Sequence, residues 1–169
     1  MRTDWEAVYR SVYPDVLRFL SGMLRDDERA KDLAQEAFAR ALDTDADNPR
    51  GLVFRVAGNL ARDEARLIVR RRHHLKLLRV EADVSAEQAS TPARDLEASE
   101  RAERLRRALD ALSETDREVL LLWNAGLNYA EIAGLTDLSQ GAIGTTVARA
   151  KKKLLSAHDA LEGTDAALG

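Results

Sequence analysis

The stretch Asp32–Leu42, DLAQEAFARAL, decides how the chain is read. Together with Ala30, its apolar members Leu33, Ala34, Ala37, Phe38, Ala41 and Leu42 recur at three- and four-residue spacing. That is the period of a helix with one stripe turned to a core. Asp32, Gln35 and Glu36, with Asp43 just beyond, fall on a different face. A polar face of this kind suits a solvated surface as well as a docking surface, and the spacing leaves both open.

The same period runs outward in both directions. No alternating β-branched run and no hairpin signal interrupts it, so the chain is expected to be all-α. Asp4 is placed to cap a first helix carrying Trp5, Val8, Tyr9 and Val12. Pro14 lacks an amide hydrogen, and a break or restart is expected there before Val16, Leu17, Leu20 and Leu24. The run RDDE, from Arg25, reads as a turn and a new helix start. DTDADNP, Asp43–Pro49, is a polar loop, and a long third helix follows from about Gly51 into RRRHH.

Residues 81–95, EADVSAEQASTPARD, are small, polar and acidic, with no face to bury. They read as a flexible linker. Beyond it four helices are expected. One spans about Leu96 to Leu112, and one starts at Ser113 and stops at Gly126. A short one starts at Asn128, and a last one runs from Ser139, its expected cap, towards His158. The stretch Asn128–Leu154 has the form of a helix-turn-helix: Ile132 and Ala133 lie on the first helix, Leu138 in the turn, and Ile143 and Val147 face inward from the second. The expected architecture is two small helical domains, 1–79 and 96–169, joined by an acidic linker at 80–95.

The chain has 169 residues, a net charge of -3 and no cysteine. Disulfides and thiolate metal sites are therefore excluded. No segment is apolar enough for membrane insertion and the N-terminus carries no secretion signal, which makes the cytoplasm the expected location. Charge is distributed in blocks. Residues 1–48 carry 7 Lys/Arg against 11 Asp/Glu, residues 49–79 carry 9 against 2, and residues 80–100 carry 1 against 6. One strongly basic block between acidic ones points to a polyanion partner. On the third helix Arg55, Asn59, Arg62, Arg66 and Arg70 follow at three- and four-residue steps and share a face. His73 and His74 are adjacent and have no metal-ligand spacing, so no metal or cofactor is expected.

YPDVLRFL (13–20), AKDLAQEAFARAL (30–42) and NPRGLVFRVAGNLARDEAR (48–66) resemble, in order and spacing, the first conserved domain of bacterial alternative sigma factors of the small extracytoplasmic-function type. LSETDREVLLLWNAGLNYAEIAGLTDLSQGAIGTTVARAKKKL (112–154) resembles their second. The resemblance covers roughly residues 5–72 and 100–155. It implies a protein that binds core RNA polymerase and directs promoter-specific initiation, and that makes no bond itself. It gives the D-x-x-Q-E residues Asp32, Gln35 and Glu36 the polymerase-binding role. It implies minus-10 contacts for Asn48, Arg50, Arg55, Asn59, Arg62, Asp63 and Arg66, with the loop from about Asp43 holding extruded bases. It implies minus-35 contacts for Ser139, Gln140, Gly141, Thr145, Thr146, Arg149 and Lys151, with Lys152 and Lys153 as further phosphate contacts and Gly141 and Gly144 allowing close approach. An anti-sigma protein is the further partner it implies. The sequence departs from the family pattern at Leu52, where a tryptophan is frequent, at Asp137, where glycine is usual, and at Gly144 and Thr146, which are often basic. A stand-alone helix-turn-helix regulator is the alternative reading; it has no use for the acidic stripe. An enzyme is disfavoured, since no nucleophile, phosphate loop or paired acids occur in a catalytic context.

Overall fold

The computed structural model describes residues 2–77 and 96–168; the segment read as a linker, 80–95, lies outside the described residues. Seven helices make up the described chain: α1 (Trp5–Met23), α2 (Asp27–Ala41), α3 (Pro49–Leu77), α4 (Leu96–Asp110), α5 (Glu114–Asn124), α6 (Tyr129–Leu135) and α7 (Gln140–Leu168). No strand occurs among the described residues.

Most helix starts are set by local chemistry that the sequence displays. Asp4 accepts the Ala7 amide, Asp26 the Arg29 amide and Ser113 the Asp116 amide. Each satisfies one of the donors a helix leaves open at its first turn. Asn128 and Glu131 form a reciprocal capping box on α6. Gly126 closes α5 at φ 89°, a left-handed conformation that costs glycine little. Asn48 accepts the Gly51 amide at 2.9 Å and leaves Pro49 in the first helical position, so α3 begins two residues earlier than the periodicity indicated.

Two helices differ from expectation. The break foreseen at Pro14 is absent, and α1 runs through it. A mid-helix proline costs about 3 kcal/mol. Val12, Val16, Phe19 and Leu20 are all buried on the same helix, at about 1.5–3 kcal/mol for each large side chain, which outweighs that cost. Similarly, α7 continues past His158 to Leu168, since the tail is rich in alanine and leucine and contains no proline. Ser139 stands just before α7, but its hydroxyl makes no bond among the described residues, so it is not the cap expected of it.

α2 packs on α1 and α3 to form an N-terminal three-helix group, and α7 lies across α4, α5 and α6. The two groups close on one another. Val12, Phe19 and Phe54 belong to the same buried cluster as Val119, Leu122, Leu127, Ile132, Ile143 and Val147. A smaller cluster, Leu109, Leu112, Leu120 and Ala150, holds α4 to α5 and α7.

Two carboxylates of α5, Asp116 and Glu118, are buried in this second group. Asp116 is 1% exposed. It accepts hydrogen bonds from Arg149 at 2.6 Å and Lys153 at 3.1 Å. The Arg149 bond, helped by Lys153 and opposed by burial, holds its carboxyl below the usual carboxylate range. A depressed carboxylate pKa adds stability above the unfolded value of about 3.9, and that stability is lost as pH falls through the folded value. Replacing Asp116 by Asn is expected to cost about 2 kcal/mol at pH 7, within the range for charge-assisted hydrogen bonds. The cost stays below that of a fully buried pair because Arg149 and Lys153 are half-exposed and regain water. Denaturant melts at pH 7 and pH 3 check this: the difference between D116N and the parent should shrink at the lower pH.

Candidate nucleic-acid interface

The basic face lies on α3, and α2 positions it. Arg29 of α2 grips Glu64 of α3 with two hydrogen bonds of 3.0 Å, a planar fork on a carboxylate. The bond to Glu64, reinforced by the charges of Asp32 and Glu36, strengthens the hold of Arg29 on its proton. Fixing α3 against α2 turns Arg55, Asn59, Arg62 and Arg66 away from the α1–α2 core. Arg55 and Asn59 are exposed; Arg62 is half-buried.

Asn59 and Asp63 each hold an arginine of this face. The Asn59 side-chain oxygen accepts from Arg62 at 2.6 Å, and Asp63 accepts from Arg66 at 3.5 Å. Arg50 lies over the Phe54 ring at 5.3 Å and donates to Asp15 at 3.1 Å. The arginines are therefore oriented rather than free, which lowers the entropy lost when they meet a ligand.

The acidic stripe is on the outer face of α2. Asp32 and Gln35 are exposed, and Glu36 is half-buried and paired with Arg40. Beside it lies an apolar feature that the sequence reading missed. Trp5, Tyr9, Phe38, Ala39 and Leu42 line a shallow groove that also includes Gln35. Tyr9 is 41% exposed and Leu42 50%, although Leu42 was expected in the core. It follows Ala41, the last residue of α2, and there the apolar stripe runs out over solvent. The exposed polar residues and the exposed apolar ones thus form one continuous surface of α1 and α2.

In the C-terminal group, Ser139 just before α7 and Gln140, Gly141, Thr145, Arg149 and Lys151 within its first four turns are exposed. Two expectations need correction. Thr146 is buried at 4% exposure and its hydroxyl donates to the Ala142 carbonyl, so it packs inward and is withdrawn from the contact set. Gly144 is small for an internal reason: a Cβ there would come within 3.3 Å of the Tyr129 ring on α6. Lys151 stands 3.5 Å over the Trp123 ring, a cation–π contact that holds its ammonium at the surface.

Asp116 and Glu118 were also missed as partners. A signal existed: Asp116 stands three and four positions before Val119 and Leu120, and Glu118 four before Leu122. A carboxylate in phase with an apolar stripe is a candidate for burial with a partner. Glu118 pairs with Arg62 across the two groups, and burial pushes its carboxyl up against the pull of that arginine.

Comparison with known proteins gives the following. The family model for Sigma-70 region 2 matches residues 8–72, and that for Sigma-70, region 4 matches residues 102–154. The ECF RNA polymerase sigma factor SigM of Bacillus subtilis (strain 168) is 27% identical over 163 residues, covering 91% of this chain and 94% of that protein. The sigma factor RpoE in its complex with the anti-sigma factor NepR from Bartonella quintana shares the fold. The match has a TM-score of 0.68 at 22% identity, over 91% of this chain and 96% of that one.

Proposed function

The chain belongs to the extracytoplasmic-function group of the sigma-70 family, whose members direct transcription initiation, and from that premise we propose how its surfaces divide the work. Core RNA polymerase docks on α2 through Asp32, Gln35 and Glu36, with the apolar groove at Tyr9 and Leu42 completing the footprint. Exposed carboxylates steer a basic partner and set its register, while the apolar neighbours supply area. The N-terminal unit, residues 1–79, then presents α3 to the minus-10 element. The C-terminal unit, residues 96–169, presents the start of α7 to the major groove at minus-35.

Promoter strands meet Asn48, Arg50, Arg55, Asn59, Arg62, Asp63 and Arg66. Arginines neutralise phosphates and release counterions, and Asn59 and Asp63 position them. Ser139, Gln140 and Gly141 at the open N-terminal end of α7 suit base-edge contacts; Thr145, Lys151 and the outer edge of Arg149, whose Nε and one terminal nitrogen are held by Asp116, suit phosphate contacts. Two weak contacts on one chain cooperate through their effective concentration. The chain itself makes no bond and needs no cofactor; the polymerase supplies the active site. No helix among the described residues is long and apolar enough to cross a membrane, and the site of action is cytoplasmic. An anti-sigma protein is the regulatory partner this reading includes.

The observation that carries the proposal is the placing of an acidic face and a basic face on adjacent, cross-linked helices. Co-elution tests it. The chain should travel with core polymerase on a sizing column at physiological salt. A stand-alone regulator would elute free and bind duplex DNA unaided.

A further inference from the structure

The loop between α2 and α3 is held from a distant part of the chain. Thr3, just before α1, donates its amide to the Asp45 carboxylate at 3.1 Å and its hydroxyl to the same oxygen at 3.0 Å. The hydroxyl also accepts the Ala46 amide at 3.3 Å. One residue therefore ties two consecutive loop residues, across 42 and 43 positions of sequence. We propose that Thr3 is a positioning residue for minus-10 recognition: it clasps the loop through Asp45 and Ala46, and so leaves Asp43, Thr44 and Asp47 to meet the extruded base.

The role presupposes the reading of this loop as the holder of extruded promoter bases. Thr3 can act as a fixed point because its own backbone is held. Its carbonyl accepts the Trp5 amide at 3.1 Å, Asp4 caps α1, and Trp5 packs against the main core. The loop is pinned at both ends as well. The Thr44 amide donates to the Ala41 carbonyl at 3.0 Å, and the Asn48 side chain caps α3. Without a tie between those ends, the residues from Asp45 to Asp47 would sample many backbone states, all to be frozen when a base arrives. The clasp meets that ordering cost during folding.

The same bonds sort the side chains of the loop. A hydroxyl has one hydrogen to give, and that of Thr3 goes to Asp45, the nearer acceptor. The Asp45 carboxylate thus carries two donors and is engaged. Asp43, Thr44 and Asp47 are exposed, and their side chains make no hydrogen bond among the described residues. Two carboxylates repel phosphate but accept from N–H groups on a base edge. The loop therefore suits the bases of the strand, and the arginines of α3 suit its backbone.

The test is run-off transcription by the full chain with core polymerase on a library randomised across the minus-10 element. Thr3→Val keeps the shape and removes both roles of the hydroxyl, Thr3→Ser keeps those roles, and Asp45→Ala removes the partner. Thr3→Val and Asp45→Ala should each lower discrimination between bases at the most selective minus-10 position about tenfold. The double variant should lose no more than Asp45→Ala alone, and Thr3→Ser should retain the parental pattern. Every variant should keep the parental melting midpoint and polymerase binding, which separates positioning from a general loss of structure. Unchanged discrimination in Thr3→Val would overturn the clasp; a loss confined to Asp45→Ala would give the base to Asp45 instead. Equal losses in Thr3→Ser and Thr3→Val would overturn the role of the hydroxyl. A parent chain with no base preference at minus-10 would count against the promoter-binding reading on which the role depends.

Discussion

Phe54→Ala should destabilise the protein by about 4 kcal/mol, the cost expected for truncating a fully buried phenylalanine. Phe54 is 1% exposed and sits edge-on to Phe19, with ring centroids 5.7 Å apart. These two rings join α1 to α3 inside a core otherwise built largely from alanine, valine and leucine. Small alanines such as Ala30, Ala34, Ala37 and Ala57 let the helices approach closely but cannot swell to fill a void. Natural domains are stable by about 5–15 kcal/mol, so the loss removes a large share of the total. Arg50 lies over the same ring, so the variant also loosens an arginine of the proposed minus-10 set. Denaturant midpoints at pH 7 measure the loss. Phe54→Leu, which keeps most of the volume, should cost less than half as much; equal costs would mean that the ring packing is not what holds α3.

The second large effect is on association rather than folding. Replacing both Asp32 and Glu36 by lysine should weaken binding of core RNA polymerase about a hundredfold, or roughly 3 kcal/mol. Asp32 is exposed, the ion pair of Glu36 is with its own helix neighbour Arg40, and both act on Arg29 through charge alone, while Arg29 keeps its two hydrogen bonds to Glu64. The melting midpoint should therefore stay close to that of the parent, since exposed pairs of this kind add little. Unchanged stability with weakened binding would separate the two stripes of α2: the buried one serves the fold, and the outer one is proposed to serve the partner. Leu42→Ser tests the apolar part of the same footprint, and is expected to reduce affinity by a smaller factor that does not depend on salt.

Much of this architecture is legible in the sequence because its signals are local. The three- and four-residue spacing of Leu33, Ala37 and Phe38 fixes α2, and the caps at Asp4, Ser113 and Asn128 fix helix starts. Each depends on residues within four positions. The stripe Asp32, Gln35, Glu36 and the face Arg55, Asn59, Arg62 are likewise local patterns. What could not be read depends on distance along the chain. Glu118 meets Arg62 from 56 positions away, and Asp116 meets Arg149 from 33. Pro14 looked like a break because propensity acts locally, whereas the burial that overrides it comes from α2, α3 and α5. Thr146 looked available beside Thr145. It lies three positions after Ile143 and four before Ala150, on the buried face, and its hydroxyl returns to its own helix.

The proposed division of labour gives the α2 face to the polymerase and the α3 face to the promoter. Run-off transcription with purified core polymerase on a promoter library tests the whole most directly. Adding the chain should produce transcripts from a distinct subset of promoters, and Arg62→Ala should abolish them while leaving polymerase binding intact. Transcription indistinguishable from that of core polymerase alone, with the chain bound, would contradict the account.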